Sequence, residues 1–438
     1  MNTKALALLA LLGLFLVSLA AEAQDRILIL RPFHRPRVIT RKPLGLPVGI
    51  VHGRIPVTQP NRFDLRWAAP PSVLADMPKE APRGFVESYQ LLLPQGFAVD
   101  QPQGLVLHVS NSSLPNDHLA WQAVCHKHKL IYACPVGIGD EVQLGLRLKT
   151  ALAVLDDLRQ KIHLDPDRIY VAGVGNGALV ATMIAYGYPE FVGGVVAIGK
   201  ATSLRAEPFM RDRVRERLSI ALLAGQGDPD RHELERVRAK VLEQSDMTYK
   251  FTLVPQLPAN TLPPPLVLDG TMAWLESNRA KRAQWAGRFP PTRIVGPGTP
   301  SPEDWAAALV EEGKFRLQHN RTDEGISLLE GVLCRWPTTP AAKDAKAALE
   351  THDAKGKRPW AEWHALRQRQ HFVREATALD EYVKTVAAIR GLKLTPGLVE
   401  ATIAMYEQVI TFGPETREAD RASKRIEELK RLLARAKP

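Results

Sequence analysis

Residues Arg168 to Ala181 (RIYVAGVGNGALVA) run from a strand-like stretch straight into a helix-like one. At such a junction the pattern G-x-S-x-G builds a nucleophile elbow, in which small flanking residues let a serine occupy a strained turn and hold its hydroxyl above a sheet for acyl transfer. Here the pattern is Gly173-Val174-Gly175-Asn176-Gly177. The central glycine tolerates the positive φ of such a bend but carries no attacking atom. A dinucleotide-binding turn is excluded. That fingerprint needs G-x-G-x-x-G and an acidic residue about 20 positions on, whereas these glycines alternate and Glu190 comes too early.

Other chemistry-bearing residues have simpler readings. Asp228, Asp230 and His232 alternate as metal ligands would, but Asp230 reads better as the cap of a helix starting at Arg231, with Glu233 three residues on completing a capping box. Cys125-His126-Lys127-His128 falls on a predicted helix, where adjacent side chains point apart. Cys134 ends a buried strand, with His108 on a neighbouring strand as the base that a relocated thiol nucleophile would need. Ser110, Ser112 and Ser113 suit turn capping better than a migrated serine nucleophile.

The elements that must position these residues follow from periodicity. Glu87 to Leu93, Gly104 to Ser110, Leu130 to Cys134, Arg168 to Ala172, Gly193 to Ile198, Ile220 to Ala224 and Tyr249 to Val254 read as strands. Leu119 to His128, Leu144 to Gln160 and Asn176 to Tyr186 read as helices between them. Such alternation predicts right-handed crossovers and an α/β domain, residues 84–288, with a mostly parallel sheet covered on both faces. A Pro/Gly-rich linker, 289–302, leads to an all-α region, 303–438. There Ile326 to Leu349 lies on Ile403 to Ile426 at a constant offset of 77: Ile326/Ile403, Glu330/Glu407, Val332/Val409, Pro337/Pro414, Thr339/Thr416, Ala342/Ala419 and Ala345/Ala422 coincide. Two related helical hairpins are implied, with Trp360 to Arg390 as further helix between them.

Two resemblances rest on these residues. Glu87 to about Ser277 resembles the secreted esterase, feruloyl-esterase and polyhydroxybutyrate-depolymerase-like branch of the α/β-hydrolases. The likeness lies in the Tyr89 to Leu93 strand, the run Leu164 to Tyr170, the elbow, and Tyr188-Pro189-Glu190-Phe191 after it. The helical region resembles tetratricopeptide-type repeats. The first resemblance implies a chain order of Ser, acid, His. It puts the acid at Asp228 and the histidine after the strand Tyr249 to Val254, where Ala259 aligns from the left and Asn260 from the right. No histidine lies between His232 and His319, so the general base is missing at either placing. Relatives carry His-Gly-Gly after the strand Leu105 to His108 to aim amides at the developing alkoxide, whereas this chain has His108-Val109-Ser110-Asn111-Ser112-Ser113. The altered triad positions are therefore Gly175, Asp228 and Asn260. The pocket and oxyanion-loop candidates are His108, Ser110 and Asn176, the last with its amide at a helix N-terminus. No catalytic residue, cofactor or metal is expected.

Composition sets the compartment and the partners. Met1 to Lys4, the apolar run Ala5 to Ala20 and Ala21-Glu22-Ala23 read as a cleaved export signal, residues 1–23, and no later stretch is apolar enough to span a membrane. The mature protein is expected in a periplasm or outside the cell. Residues 24–83, with ten prolines among basic residues, read as an extended linker or arm, and Arg31, Arg35, Arg37, Arg41 and Lys42 are its candidate contacts for an anionic polymer. A net charge of +11 agrees with such a partner without selecting it. Three cysteines in 438 residues exclude a disulfide scaffold. The reading is an exported hydrolase-fold protein without esterase catalysis. It would bind a small molecule, ester or glycan above Gly175 and a protein partner through its helical repeats. A weak carboxylic-ester hydrolase with a relocated nucleophile, Ser110 or Cys134, and a cell-envelope scaffold acting through the repeats are the alternatives.

Overall fold

The computed structural model describes residues 38–40, 51–78, 86–98, 101–204, 207–243, 246–291, 293–295, 298–354, 360–388 and 396–436. The expected export signal and the named contacts of the basic arm lie outside the described residues.

Eight strands form the main sheet: β1 (Val51–Pro56), β2 (Ser88–Leu92), β3 (Gln103–Val109), β4 (Leu130–Val136), β5 (Leu164–Val174), β6 (Gly194–Ile198), β7 (Ser219–Gly225) and β8 (Tyr249–Val254). Their order is β1-β2-β4-β3-β5-β6-β7-β8. Only β2 runs against its neighbours, pairing antiparallel with β1 and β4; every later pairing is parallel. The central strands read as unbroken apolar runs because helices cover both faces. Alternate residues divide between the two layers: Leu105, Leu107, Ile169 and Val171 enter one core, Val106, Tyr170 and Ala172 the other. On the first face lie α2 (Leu144–Lys161) and α3 (Asn176–Gly187), on the second α1 (His118–His128) and a helix at Pro265–Ser277.

The segment 24–83 requires a correction. From Val51 to Pro78 it belongs to the fold: β1 is an edge strand, where prolines are tolerated, and Phe63, Ala68 and Ala69 are buried in the core. Two adjacent carboxylates on α2 hold it. Asp156 takes Arg62 Nε and Nη2 at 2.9 and 2.8 Å, and Asp157 accepts the amides of Thr58 and Gln59 at 3.0 Å each. Nor is 289–302 a loose linker. Thr299 is buried, its amide donating to Arg159 O and its hydroxyl accepting the Leu164 amide at 3.1 Å, while Arg293–Val295 pairs in parallel with Val38–Thr40.

The all-α region continues from α4 (Pro302–Gln318) through α5 (Thr322–Arg335), α6 (Pro340–Ala354), α7 (Trp360–Ala388), α8 (Pro396–Thr411) and α9 (Arg417–Ala436). The α5–α6 and α8–α9 hairpins turn alike. Thr339 Oγ1 donates to Trp336 O and Thr416 Oγ1 to Gly413 O, each at 2.7 Å, and each threonine hydroxyl accepts the amide three residues on, Ala342 or Ala419, at 3.3 Å. The offset pairs Ile326/Ile403, Val332/Val409, Ala342/Ala419 and Ala345/Ala422 are buried in both hairpins. Their surroundings differ. Trp305, Leu309, Ile326, Leu329 and Val332 share the core of the first sheet face, whereas Leu379, Val383, Leu398, Val399, Ile403, Ile426 and Leu429 form a separate core.

Ion pairs join α4 and the first hairpin to the sheet unit. Arg335 Nη1 donates to both oxygens of Glu190, at 2.8 and 2.9 Å. Arg316 reaches Glu216, in the helix Pro208–Arg217, at 2.5 Å, and pairs with Glu312 on its own helix. Burial raises the Glu190 carboxyl, but Arg335 and Arg213 outweigh it and hold it below the ordinary glutamate range.

Candidate functional site

The site lies where β5 ends and α3 begins. Gly175 stands between them at φ 55° and ψ −122°, a conformation that a side chain would strain. Its amide donates to Ile198 O on β6 at 2.9 Å, and its carbonyl accepts the Ala178 amide at 3.1 Å. Glycines on either side let helix and strands approach: a Cβ on Gly173 would strike the Gly177 backbone, and one on Gly177 would strike Val109 O. The amides of Asn176 and Gly177 fall in the first turn of α3, where the helix has no partners of its own for them.

The structure brings the three triad positions together. A Cβ on Gly175 would lie less than 3.0 Å from Asn260 Oδ1, so the asparagine side chain occupies the space a side chain at position 175 would need. Of the two placings open in the sequence, it is Asn260 that faces Gly175. It sits at φ 56°, a left-handed conformation asparagine tolerates, and its carbonyl accepts Asn111 Nδ2 at 2.9 Å. Asp228 is 7% exposed, with Oδ1 accepting the Asp230 amide at 2.9 Å. Its Oδ2 lies 3.3 Å from where a Cβ on Gly199 would stand, a point itself 3.9 Å from the Gly175 amide.

The capping box expected at Asp230 is not formed. The Asp230 side chain faces Lys200 Nζ at 3.5 Å instead, and Glu233 pairs with Arg236. Lys200 also donates to Asn176 Oδ1 at 3.3 Å. His232 is exposed and faces Glu235, so the alternating trio does not converge, and among the described residues no three His, Cys, Asp or Glu side chains are grouped to hold a metal.

The oxyanion-loop candidates are engaged structurally. His108 is fully buried, its Nε2 3.0 Å from Asp117 Oδ2 and its ring stacked on Tyr132 at 6.2 Å between centroids. Burial raises the Asp117 carboxyl, but His108 and Ser110 outweigh it and hold it low. Ser110 is 2% exposed and its Oγ accepts the Ser112 amide at 3.1 Å. Cys134 is fully buried, and burial pushes its thiol up to about 12. Cys134 lies in the core, and Ser110 is all but closed to solvent with its Oγ engaged by the Ser112 amide.

Three contributors escaped the sequence reading. Arg147 lies beneath the Ser110 turn, donating to Ser110 O at 2.8 Å and to Asp140 Oδ1 at 2.7 Å. Its one signal was a basic residue inside the apolar stripe of a predicted helix. Lys200 and Asn111 follow strand ends and carry no periodic signal at all.

No protein-family model and no curated protein matches the chain. Solved structures similar to it include a thermostable esterase (16% identity, 45% of this chain and 61% of that one, TM-score 0.34), Est1E from Butyrivibrio proteoclasticus (12%, 45% and 96%, 0.35) and a dienelactone hydrolase from Anabaena variabilis (17%, 45% and 94%, 0.34). The chain thus spans about three fifths of the first. Strand order and parallel register define the class here: an α/β protein with a mostly parallel eight-stranded sheet and flanking helices, followed by a helical region.

Proposed function

We propose that this chain is an exported α/β-hydrolase-fold protein that has lost ester hydrolysis and acts by binding. The observation that carries this reading is Gly175 at the elbow with Asn260 Oδ1 in the space a side chain would need. Acyl transfer requires an attacking oxygen or sulfur and a base to take its proton. Neither a hydroxyl, a thiol nor an imidazole stands at the three converging positions, while the acid, Asp228, is kept. The ligand is a small molecule, ester or glycan held above Gly175. The helical hairpins, read as tetratricopeptide-like, supply a second surface for a protein partner, and the basic arm a site for an anionic polymer. Export to a periplasm or the medium rests on the N-terminal apolar run.

Activated-ester hydrolysis by the native chain and by Gly175→Ser tests the reading. Both should match the uncatalysed rate, because the serine would meet Asn260 and still lack a base. Turnover by the single variant would contradict the loss of the histidine.

A further inference from the structure

The retained carboxylate has an unusual environment for a group without its partner. Asp228 is more than nine-tenths buried, yet the side chain makes one hydrogen bond, from the Asp230 amide to Oδ1. A carboxylate offers about four acceptor positions, and most of those of Asp228 are left without a protein donor among the described residues. Oδ2 has no protein partner among the described residues and faces the space beside Gly199. Gly199, at φ +83°, has no side chain to close that space, and the Gly175 amide borders it. Lys200 does not fill it: its ammonium is taken by Asp230 at 3.5 Å and Asn176 at 3.3 Å.

We propose that Asp228 is a binding residue for a compact small-molecule cation, an amidinium-, imidazolium- or amine-type N–H donor that enters between Gly199 and Gly175 and hydrogen-bonds Oδ2. This deepens, and rests on, the non-catalytic binding reading above. A charge-assisted N–H···O hydrogen bond is the strong kind. Burial of the carboxylate restricts the ligand to one small enough to reach it. The exposed Asn260 amide borders Gly175 as well.

Acetamidinium, with its neutral isostere acetamide, is the probe. In the glycine-selectively 15N-labelled full chain at constant ionic strength, acetamidinium should shift the Gly175 and Gly199 amides saturably, and acetamide should bind at least tenfold more weakly. Asp228→Asn should weaken acetamidinium at least tenfold, while Asp230→Asn should change it less than twofold. Equal binding of the two probes, unmoved glycine amides, or undiminished binding by Asp228→Asn would overturn the proposal. The contrast between probes on the native chain stands as a test if Asp228→Asn does not fold. Native protein inert to esters but blind to acetamidinium would defeat only the cation site; ester turnover would defeat the non-catalytic reading whichever way the titration falls.

Discussion

The two helical hairpins share a turn and a buried stripe, yet the first shares the core of the sheet unit, whereas the second keeps a core of its own and meets that unit at the short helix Pro71–Ala75. The difference lies in a few positions at the same offset of 77. Arg335, which pairs with Glu190, is matched by Phe412, stacked on Phe372 at 5.7 Å. Gly331, against whose bare backbone Phe209 packs at 3.2 Å from the Cβ position, is matched by Gln408. Ser327, buried and bonded to Asp212 Oδ2 at 2.6 Å, is matched by Ala404, which is exposed. The two hairpins therefore keep matching core positions while their outer faces differ, and the first adds a small residue, a matched charge and a hydrogen bond to its apolar contact with the sheet unit.

Removing residues is the strongest way to break this comparison. Deleting 355–438 should leave a cooperative unfolding transition, whereas deleting 303–438 should give an aggregation-prone protein that binds apolar dyes. Trp305, Leu309, Ile326, Leu329 and Val332 leave the sheet face together. At about 2 kcal/mol each, their burial is comparable to a whole domain's stability of about 5–15 kcal/mol. Next comes charge. Glu190→Ala strands Arg335 in a buried site and should cost roughly 3–5 kcal/mol in denaturant unfolding. Asp380→Ala in the second hairpin should cost about 1 kcal/mol, because Arg425 and Lys384 can rehydrate. Gly331→Gln, which gives the first hairpin the residue of the second, should wedge against Phe209 and cost about 1–3 kcal/mol, measured by the same unfolding.

Acid should act on both units in the same direction. Glu190 and Asp380 are each raised by burial but lowered further by their cations, so their folded pKa values lie below the unfolded ones. Their stabilisation is complete above the unfolded range near ~4 and is lost as pH falls through the lowered values. Thermal unfolding should therefore be insensitive to these groups from neutral pH to mildly acidic and decline below about pH 4.

The sequence made the sheet legible for a physical reason. Strands buried on both faces, such as Gly194–Ile198 and Ser219–Gly225, are unbroken apolar runs that nothing else explains. The strand Val51–Pro56 was hidden by its proline-rich setting, because what holds that segment, Arg62 on Asp156, spans 94 residues and leaves no local pattern. The cap at Asp230 failed for a similar reason: Lys200, from another strand end, competes for the carboxylate. At the site, the motif pointed to Gly175 and the resemblance to Asp228, and of Ala259 and Asn260 only packing could show which faces Gly175.

Fluorophosphonate labelling of the native chain, read by intact mass, tests the loss of the nucleophile most directly. The expected spectrum shows the unmodified mass alone. A stoichiometric adduct abolished by replacing one serine, threonine or cysteine would contradict it.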